Sequence, residues 1–328
     1  MISKSKRRSV LKAMAGVAAL SMTGRALAAY PERAIRLIVP FAPGGNADLM
    51  GRLLGDGLSQ ALGQPVVVEN KAGAGGSIGA AEVARAAPDG YTLLVGSNGP
   101  LTVNPFVQAK LGYDPLKDLA PIGMMSITAH ALVVNAGVPA HTVKEIVALS
   151  QKQQVGIGTS GIGSATHLTL ERFNAQTGAK LLHVPYKGGG ALLPDLVSGT
   201  IQGAMTEFSS ALPYHRSGKA RYIAVASATR SKLAPEVPTM IESGVAGFTA
   251  GSFIGALAPA GTPADVMRRL QEGLNSTLNS PKALQRIQEL GGEAAAQEVR
   301  TPAGFAAFIR EDYERSREAA QLAGLKKE

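Results

Sequence analysis

Apolar residues along the chain alternate between the spacing of strands and that of helices. Ile35–Val39 and Thr92–Gly96 are short β-rich runs that lead into glycine-containing loops, whereas Met50, Leu54 and Leu58 recur at the spacing of a helix face. The same order recurs further along. It predicts strands at residues 66–68, 155–157, 181–184, 201–205 and 222–226, and helices at residues 77–87, 164–176, 192–197, 266–278 and 305–322. This alternation predicts an α/β protein with mainly parallel sheets.

Two further β-rich segments, residues 122–134 and 248–257, are long enough to leave one sheet and enter another. Two such crossovers would make the first domain discontinuous, with the C-terminal helices packed on the N-terminal sheet. The pattern therefore predicts two α/β lobes with a cleft between them and a hinge of two strands. Residues 29–130 and 253–328 are assigned to lobe I, and residues 131–252 to lobe II.

The first 28 residues have the order of an export signal. A basic stretch precedes an apolar run at residues 13–20, and Ala26 and Ala28 provide the small residues of a cleavage site. The segment predicts a signal peptide removed near Ala28 and a mature protein in the periplasm. The Arg7-Arg8 pair resembles a twin-arginine signal, but Val10 stands where such signals usually carry Leu or an aromatic residue, so both the Tat and Sec routes stay open.

Composition and charge exclude several classes of function. The 328 residues include 33 basic and 24 acidic side chains, but six of the basic ones lie in the first 28 residues. The mature chain is close to balance, so its charge does not indicate a nucleic-acid partner. The chain has no Cys, which excludes disulfides, thiolate metal sites and a Cys nucleophile. No pair of its five His residues has the i, i+4 spacing of a helical metal site, and we expect no metal and no cofactor.

Four loops predicted to follow strands are rich in Gly and hydroxyl residues: 40–45, 96–99, 158–164 and 206–210. In a parallel α/β sheet such loops line the binding crevice. At least two of them lead into helix N-termini, whose free N–H groups attract anions without a cationic side chain. The alternative interpretation is that Asp48, Ser164 and Ser209 are helix caps only.

Two short motifs suggest enzymes. Residues 156–161 match the dinucleotide fingerprint, but the following strand lacks the acidic residue that would hold the ribose. Residues 75–79 match the nucleophile elbow of a hydrolase, and the chain order would permit a triad of Ser77, Asp195 and His215. A periplasmic serine hydrolase that uses Ser77 is therefore the alternative function.

Six segments together resemble the Bug family, the extracytoplasmic substrate-binding receptors of tripartite tricarboxylate transporters. They are residues 40–48 (PFAPGGNAD), 69–76 (ENKAGAGG), 88–94 (PDGYTLL), 163–168 (GSATHL), 183–189 (HVPYKGG) and 257–263 (LAPAGTP). They occur in the order of the family and cover essentially the whole mature chain.

The resemblance implies a type II periplasmic-binding-protein fold, in which two α/β lobes close on a ligand without catalysis. It implies a small carboxylate ligand, such as a di- or tricarboxylate, an acidic amino acid or an aromatic acid. The implied partners are the subunits of a membrane transporter, or a sensor, and the receptor is expected to be a monomer.

The resemblance also places ligand contacts on four loops. Phe41, Ala42, Gly44 and Asp48 belong to the first loop, Ser97 and Asn98 follow the third strand, Thr159, Ser160, Gly163, Ser164 and His167 form a clamp on lobe II, and Thr206, Glu207 and Ser209 lie near the distal end of the ligand. The carboxylate of Glu207 would repel a second carboxylate on the ligand. It disfavours a simple dicarboxylate and favours an amine-bearing or neutral distal group.

Overall fold

The computed structural model describes residues 30–325 and 327. The strands are β1 Ile35–Val39, β2 Val66–Asn70, β3 Thr92–Gly96, β4 Leu119–Asn135, β5 Val155–Thr159, β6 Leu181–Pro185, β7 Gly203–Glu207, β8 Ala220–Val225, β9 Gly251–Pro259 and β10 Gly292–Ala294. The helices are α1 Asn46–Leu62, α2 Ser77–Ala84, α3 Asn104–Val107, α4 Val143–Ser150, α5 Ala165–Thr177, α6 Gly189–Ser198, α7 Phe208–Arg216, α8 Ala264–Asn279, α9 Pro281–Glu289 and α10 Pro302–Leu322. Shorter helical turns lie at Ala74–Gly76, Gly99–Val103 and Gln297–Arg300.

The strands follow the order β2-β1-β3-β9-β4-β7-β5-β6, with β8 and β10 also paired to β4. Strand β1 is parallel to β2 and β3, and β5 is parallel to β6 and β7. Strand β9 is antiparallel to β3 and β4, and β4 is antiparallel to β7, β8 and β10. The arrangement is therefore mixed rather than mainly parallel, because β4 and β9 run against their neighbours.

The long strand β4 belongs to two groups of strands. Its residues 119–129 pair with β9, whereas its residues 130–135 pair with β7 and β8. Its register shifts at three places, and such bulges bend and twist a strand locally. We call β1, β2, β3, β9, β10 and the first half of β4 the first strand group. The second strand group comprises β5 to β8 and the second half of β4.

Each strand group buries its own apolar core. Phe253 and Phe305 pack in a cluster of the first group, while Phe173 and Phe248 pack in a cluster of the second. A second cluster of the second group contains Phe208. A small further cluster, with Val107 and Leu168, contains residues from both parts of the chain.

Several element boundaries agree with the sequence. Helix α1 ends at Leu62 and is capped by Gly63, whose φ of +71° is the left-handed geometry that Gly adopts readily. Helix α5 lies between the caps Ser164 and Gly178. Helix α2 ends at Ala84, three residues earlier than predicted. Pro88 disfavours helical geometry at residue 87 but does not account for the earlier end.

The extended segment predicted from residue 248 becomes a strand only at β9. It is preceded by a turn in which Phe248 N–H donates to Val245 O at 3.2 Å. Within residues 30–325 and 327, the helices lack the combination of length and apolarity that crossing a membrane requires. The predicted signal peptide lies outside the described residues.

Candidate ligand-binding site

A small cavity lies where loops from both strand groups meet strand β9. Its volume is about 20 Å³, which is room for about one water molecule, so a carboxylate ligand requires a wider cleft. It is lined by Phe41, Gly45, Asn46, Ala47, Ser97, Gly99, Ser160, Ser164, Ala165, Gly189, Glu207, Ser252 and Ile254. This lining, drawn from the described part of the chain, provides hydroxyl, amide and carboxyl groups but no Lys or Arg.

Two helix N-termini contribute to the cavity wall from opposite sides. Asn46 and Ala47 begin α1, and Ala165 begins α5. Ser164 caps α5 by accepting a hydrogen bond from His167 N–H at 3.2 Å. The unpaired N–H groups and the dipole of a helix N-terminus favour a negatively charged group, so the cavity suits an anion without a cationic side chain.

The two walls of the cleft are in backbone contact. Ala42 N–H donates to Lys187 O at 2.9 Å across the cleft. A Cβ atom built on Gly45 would lie 2.9 Å from Gly190 N, so there is no space for a side chain between these loops. The structure is therefore that of a closed cleft.

The side-chain amide of Asn46 is buried, and its oxygen is hydrogen-bonded whereas its nitrogen is not. It is 2% exposed, and its Oδ1 accepts hydrogen bonds from Ser209 Oγ at 3.1 Å and, more weakly, from Thr128 Oγ1 at 3.4 Å. Its Nδ2 has no hydrogen-bond partner among the described residues. A buried donor without a partner is costly, and a ligand oxygen in the adjoining cavity would satisfy it.

Glu207 occupies the inner wall, next to the strands that connect the two groups. Its Oε1 lies 3.0 Å from Ser252 Oγ, and Ser252 Oγ lies 2.8 Å from His130 Nε2. Burial raises the pKa of Glu207. Burial, together with the charge of Arg172, lowers the pKa of His130 to about 3.

The structure brings five of the predicted site residues to the cavity: Phe41, Ser97, Ser160, Ser164 and Glu207. Asp48 does not line it. Its carboxylate accepts from Gly44 N–H and Asn70 Nδ2, each at 3.0 Å, and pairs with Arg52, which holds the first loop in place. Gly44 is exposed, and its φ of +83° supports the turn rather than an approach to ligand.

The other predicted residues do not line the cavity and have partners elsewhere. Asn98 accepts from Phe253 N–H and donates to Asp312, each at 3.0 Å. Thr159 Oγ1 pairs with His183 Nε2 at 2.7 Å. Gly163 N–H donates to His167 Nδ1 at 3.2 Å, and Thr206 Oγ1 lies 3.4 Å from Glu207. Ala42 and Ser209 make the contacts described above with Lys187 and Asn46.

Eight lining residues were not among the predicted ligand contacts: Gly45, Asn46, Ala47, Gly99, Ala165, Gly189, Ser252 and Ile254. Gly45 and Gly99 nevertheless lie in loops that the sequence predicted to line the crevice. Asn46 and Ala47 belong to the first family motif, so a signal for them was present. Ser252 and Ile254 lie on β9, and a strand residue in an apolar run carries no local sign that it faces a cleft.

Among residues 30–325 and 327, His167, Glu171 and His183 form the group most similar to a metal site, with ligand atoms within 4.8 Å of one another. The two imidazole rings are stacked, with centroids 4.0 Å apart and planes 19° apart. Because a metal binds in the plane of an imidazole, stacked rings do not direct their lone pairs at a common point. His167 Nδ1 also accepts the Gly163 N–H, which leaves the ring proton on Nε2. The arrangement fits two neutral stacked rings rather than a metal centre.

The structure does not assemble the triad of the alternative hydrolase prediction. Ser77 Oγ accepts from Asn104 Nδ2 at 2.6 Å, and His215 pairs with Glu236 at 2.9 Å. Asp195 instead accepts from the hydroxyl of Tyr186 at 2.6 Å. The three residues have separate partners, so Asp195 and His215 do not form a triad with Ser77.

Comparisons with known proteins agree with this geometry. Residues 50–325 match the model of the tripartite tricarboxylate transporter family receptor. The chain is 36% identical to Protein BugT of Bordetella pertussis over 289 residues, which are 87% of this chain and 88% of BugT.

Two solved structures are similar over nearly their whole length. The periplasmic binding protein BugD is 34% identical, with a TM-score of 0.87, over 91% of this chain and 100% of BugD. MatC from Rhodopseudomonas palustris with bound malate is 31% identical, with a TM-score of 0.85, over 88% of this chain and 99% of MatC. These matches establish the two-lobe periplasmic-binding-protein fold. The chain therefore belongs to the receptors of the tripartite tricarboxylate transporter family, the Bug family that its motifs predicted.

Proposed function

We propose that this receptor captures a small carboxylate-bearing solute in the periplasm, between its two lobes, and delivers it to the membrane subunits of a tripartite tricarboxylate-type transporter, or to a sensor. The observation that carries the proposal is the anion-binding character of the cavity. Two helix N-termini and the unpaired Nδ2 of Asn46 converge on it without a cationic side chain. The malate bound by the similar protein MatC supports the ligand class.

The proposed cycle requires the lobes to open and close. Residues 29–130 and 253–328 would move as one lobe and residues 131–252 as the other, with β4 and β9 as the hinge. Strand β4 changes its pairing partner near residue 130, from β9 to β7, and this change supports the division. A ligand that contacts both lobes binds the closed form better and shifts the population toward it.

The proposed role involves no turnover, and a monomer is sufficient for it. The separate partners of Ser77, Asp195 and His215 support binding rather than hydrolysis. Mass spectrometry of the solute released from purified protein should therefore recover an unchanged carboxylate. Ester turnover that is lost in Ser77→Ala would contradict this part of the proposal.

A ligand titration tests capture and closure together. Malate is the first probe, and it should raise the melting temperature because the unfolded chain lacks the site. At a ligand concentration of about 100 times the dissociation constant, the free energy of unfolding should rise by roughly 2.7 kcal/mol. Small-angle scattering of the same samples should show a smaller radius of gyration with ligand. A saturating, stabilising ligand that leaves the radius unchanged would argue against lobe closure.

We also propose that the first 28 residues direct export and are removed near Ala28. N-terminal sequencing of the exported protein should begin at or near Ala29. Replacing both Arg7 and Arg8 with Lys should abolish export by the Tat route, whereas normal export of that variant would indicate Sec. A soluble cytoplasmic pool that retains residues 1–28 would contradict the assignment.

A further inference from the structure

Strand β9 extends past the end of its neighbour β3. Gly96 is the last residue of β3, and it pairs with Gly255. Beyond this point the chain turns into the helical segment Gly99–Val103, so β3 offers β9 no further backbone partner. The side chain of Asn98 takes this place, because its Oδ1 accepts a hydrogen bond from Phe253 N–H at 3.0 Å.

The two neighbours of the Asn98 amide decide which way it points. Phe253 N–H can only donate, so it faces the amide oxygen. The amide nitrogen then faces Asp312 on helix α10, and Asn98 Nδ2 donates to Asp312 Oδ2 at 3.0 Å. A turned amide would bring its own N–H groups against Phe253 N–H and would lose that bond. Asn98 therefore links β9 to the C-terminal helix in one orientation only.

Asp312 is held in place by the packing of α10. Its Oδ2 also lies 2.6 Å from Thr102 Oγ1, and its side chain is 16% exposed. The helix around it has apolar anchors of its own, since the rings of Phe305 and Phe308 both make edge contacts with the ring of Phe253, with centroids 5.7 and 5.2 Å away. The carboxylate is thus a fixed point against which the Asn98 amide is held.

Asn98 and Phe253 do not line the ligand cavity, but their direct neighbours in the chain do: Ser97, Gly99, Ser252 and Ile254. Successive residues of a strand face opposite sides, so the two neighbours of Phe253 share the side that faces the cavity. The amide of Asn98 therefore joins the two segments that contribute these four lining residues.

Loss of the Asp312 carboxylate would release this junction rather than unfold the helix. Asn98 is 7% exposed, and its Nδ2 would need another acceptor. Asn98 and Asp312 both border a second, larger cavity of about 1100 Å³, from which water can reach the amide. The amide would then be free to turn or shift, and the loop at residues 97–99 would no longer be fixed against Phe253.

We infer that Asp312 is a positioning residue of the binding site. Through the amide of Asn98 it holds the loop at residues 97–99 against β9, and in this way it sets the solute affinity of a cavity that it does not line. This inference rests on the proposed function, because it concerns capture of the same solute. It gives the C-terminal helix a role in binding through a residue 214 positions away from Asn98.

Calorimetric titration with malate measures the effect of Asp312 on affinity. Asp312→Ala should weaken binding by about 3- to 10-fold, the scale of one hydrogen bond. Asp312→Asn keeps an oxygen that accepts from Asn98 and should recover most of the affinity. Glu311→Gln is the matched control, because Glu311 is exposed and pairs with Arg315, and it should bind like the wild type. Unchanged affinity in Asp312→Ala would overturn the inference.

A double-mutant cycle with Asn98→Ala separates positioning from a general effect on the fold. If Asp312 acts through the Asn98 amide, adding Asp312→Ala to Asn98→Ala should change the affinity by less than about twofold. An equal loss of affinity in both backgrounds would show that Asp312 acts by another route, which contradicts the inference. Asp312→Leu fills the same space without an acceptor, and it replaces Asp312→Ala in these measurements if the Ala variant does not fold.

Hydrogen exchange without solute tests the junction independently of the proposed function. The Phe253 amide should exchange faster in Asp312→Ala than in the wild type, whereas the amide of Leu257, which pairs with Leu94 of β3, should be unaffected. An unchanged rate at Phe253 would overturn the inference. Failure of malate to bind the wild type would count against the proposed function instead, and the exchange measurement would still decide whether Asp312 holds β9 through Asn98.

Discussion

The contact between Gly190 and the opposite wall predicts a variant that blocks closure without harming the fold. A Cβ atom at Gly190 would lie 2.0 Å from Pro43 O, 2.8 Å from Gly45 N and 3.0 Å from the carbonyl carbon of Gly44. Ordinary Cβ contacts lie at 3.4–4 Å. All three atoms are backbone atoms, which cannot rotate away. Gly190→Ala therefore requires the walls to separate by more than about 1 Å.

The size of the effect follows from the cost of overpacking. Inserting a methyl group into a filled space costs about 1–3 kcal/mol, and here the penalty falls on the closed form alone. Where the ligand-bound form keeps this wall contact, ligand affinity should fall by about 5- to 150-fold. The open form has no such contact, and Ala is favoured over Gly in a helix by about 1 kcal/mol. If the free protein rests open, its unfolding midpoint should therefore not decrease, whereas a free protein that rests closed should lose about 1–3 kcal/mol of stability.

Calorimetric titration and small-angle scattering with malate measure affinity and closure in the same variant. Ser198→Ala is the control, because Ser198 is an exposed residue at the far end of the same helix α6. It should bind and close like the wild type. A Gly190→Ala protein that binds malate equally well and reaches the same radius of gyration would refute the reasoning.

Two further predictions concern a ligand contact and acid stability. Asn46→Ala removes the unpaired amide donor and should weaken carboxylate binding by about 1.5–3 kcal/mol; unchanged affinity in a calorimetric titration would exclude Asn46 as a ligand contact. The stacked His pair should make the fold acid-sensitive, since burial lowers the pKa of His167 to about 3 and of His183 to about 4, from 6.5. As the pH falls, the unfolded chain therefore takes up these protons before the folded protein does. The free energy of unfolding should be greatest above about pH 6.5 and should fall by roughly 2 kcal/mol per group by about pH 5. His183→Gln should flatten the dependence of the urea midpoint on pH, and an equally steep slope would contradict this account.

Much of the fold could be predicted because its signals are local. The apolar spacing of α1, the left-handed Gly63 that ends it and the Ser164 cap of α5 each depend on a few neighbouring residues. The antiparallel course of β4 and β9 could not be predicted in this way. Strand direction depends on which distant strand is the partner, and period-2 patterns do not encode it.

The site was only partly predictable for the same reason. The position of loops at strand ends was enough to predict Phe41, Ser160 and Ser164, which line the cavity. Asn98 follows a strand in the same way, but its amide is used by Phe253 and Asp312, which are 155 and 214 residues away. Partners at such separations are fixed by tertiary packing and leave no local pattern.

The place of β9 between β3 and β4 determines the order in which the newly made chain can fold. Strand β4 is joined to β3 only through β9, which begins at Gly251, so the first strand group remains split until that segment has emerged. The second strand group is built from a continuous stretch and needs no later residue to pair its strands. We expect it to fold first, while the facing edges of β3 and β4 stay open. Open edges can pair with other chains, so the interval before Pro259 appears is the one in which the nascent chain is most prone to aggregate.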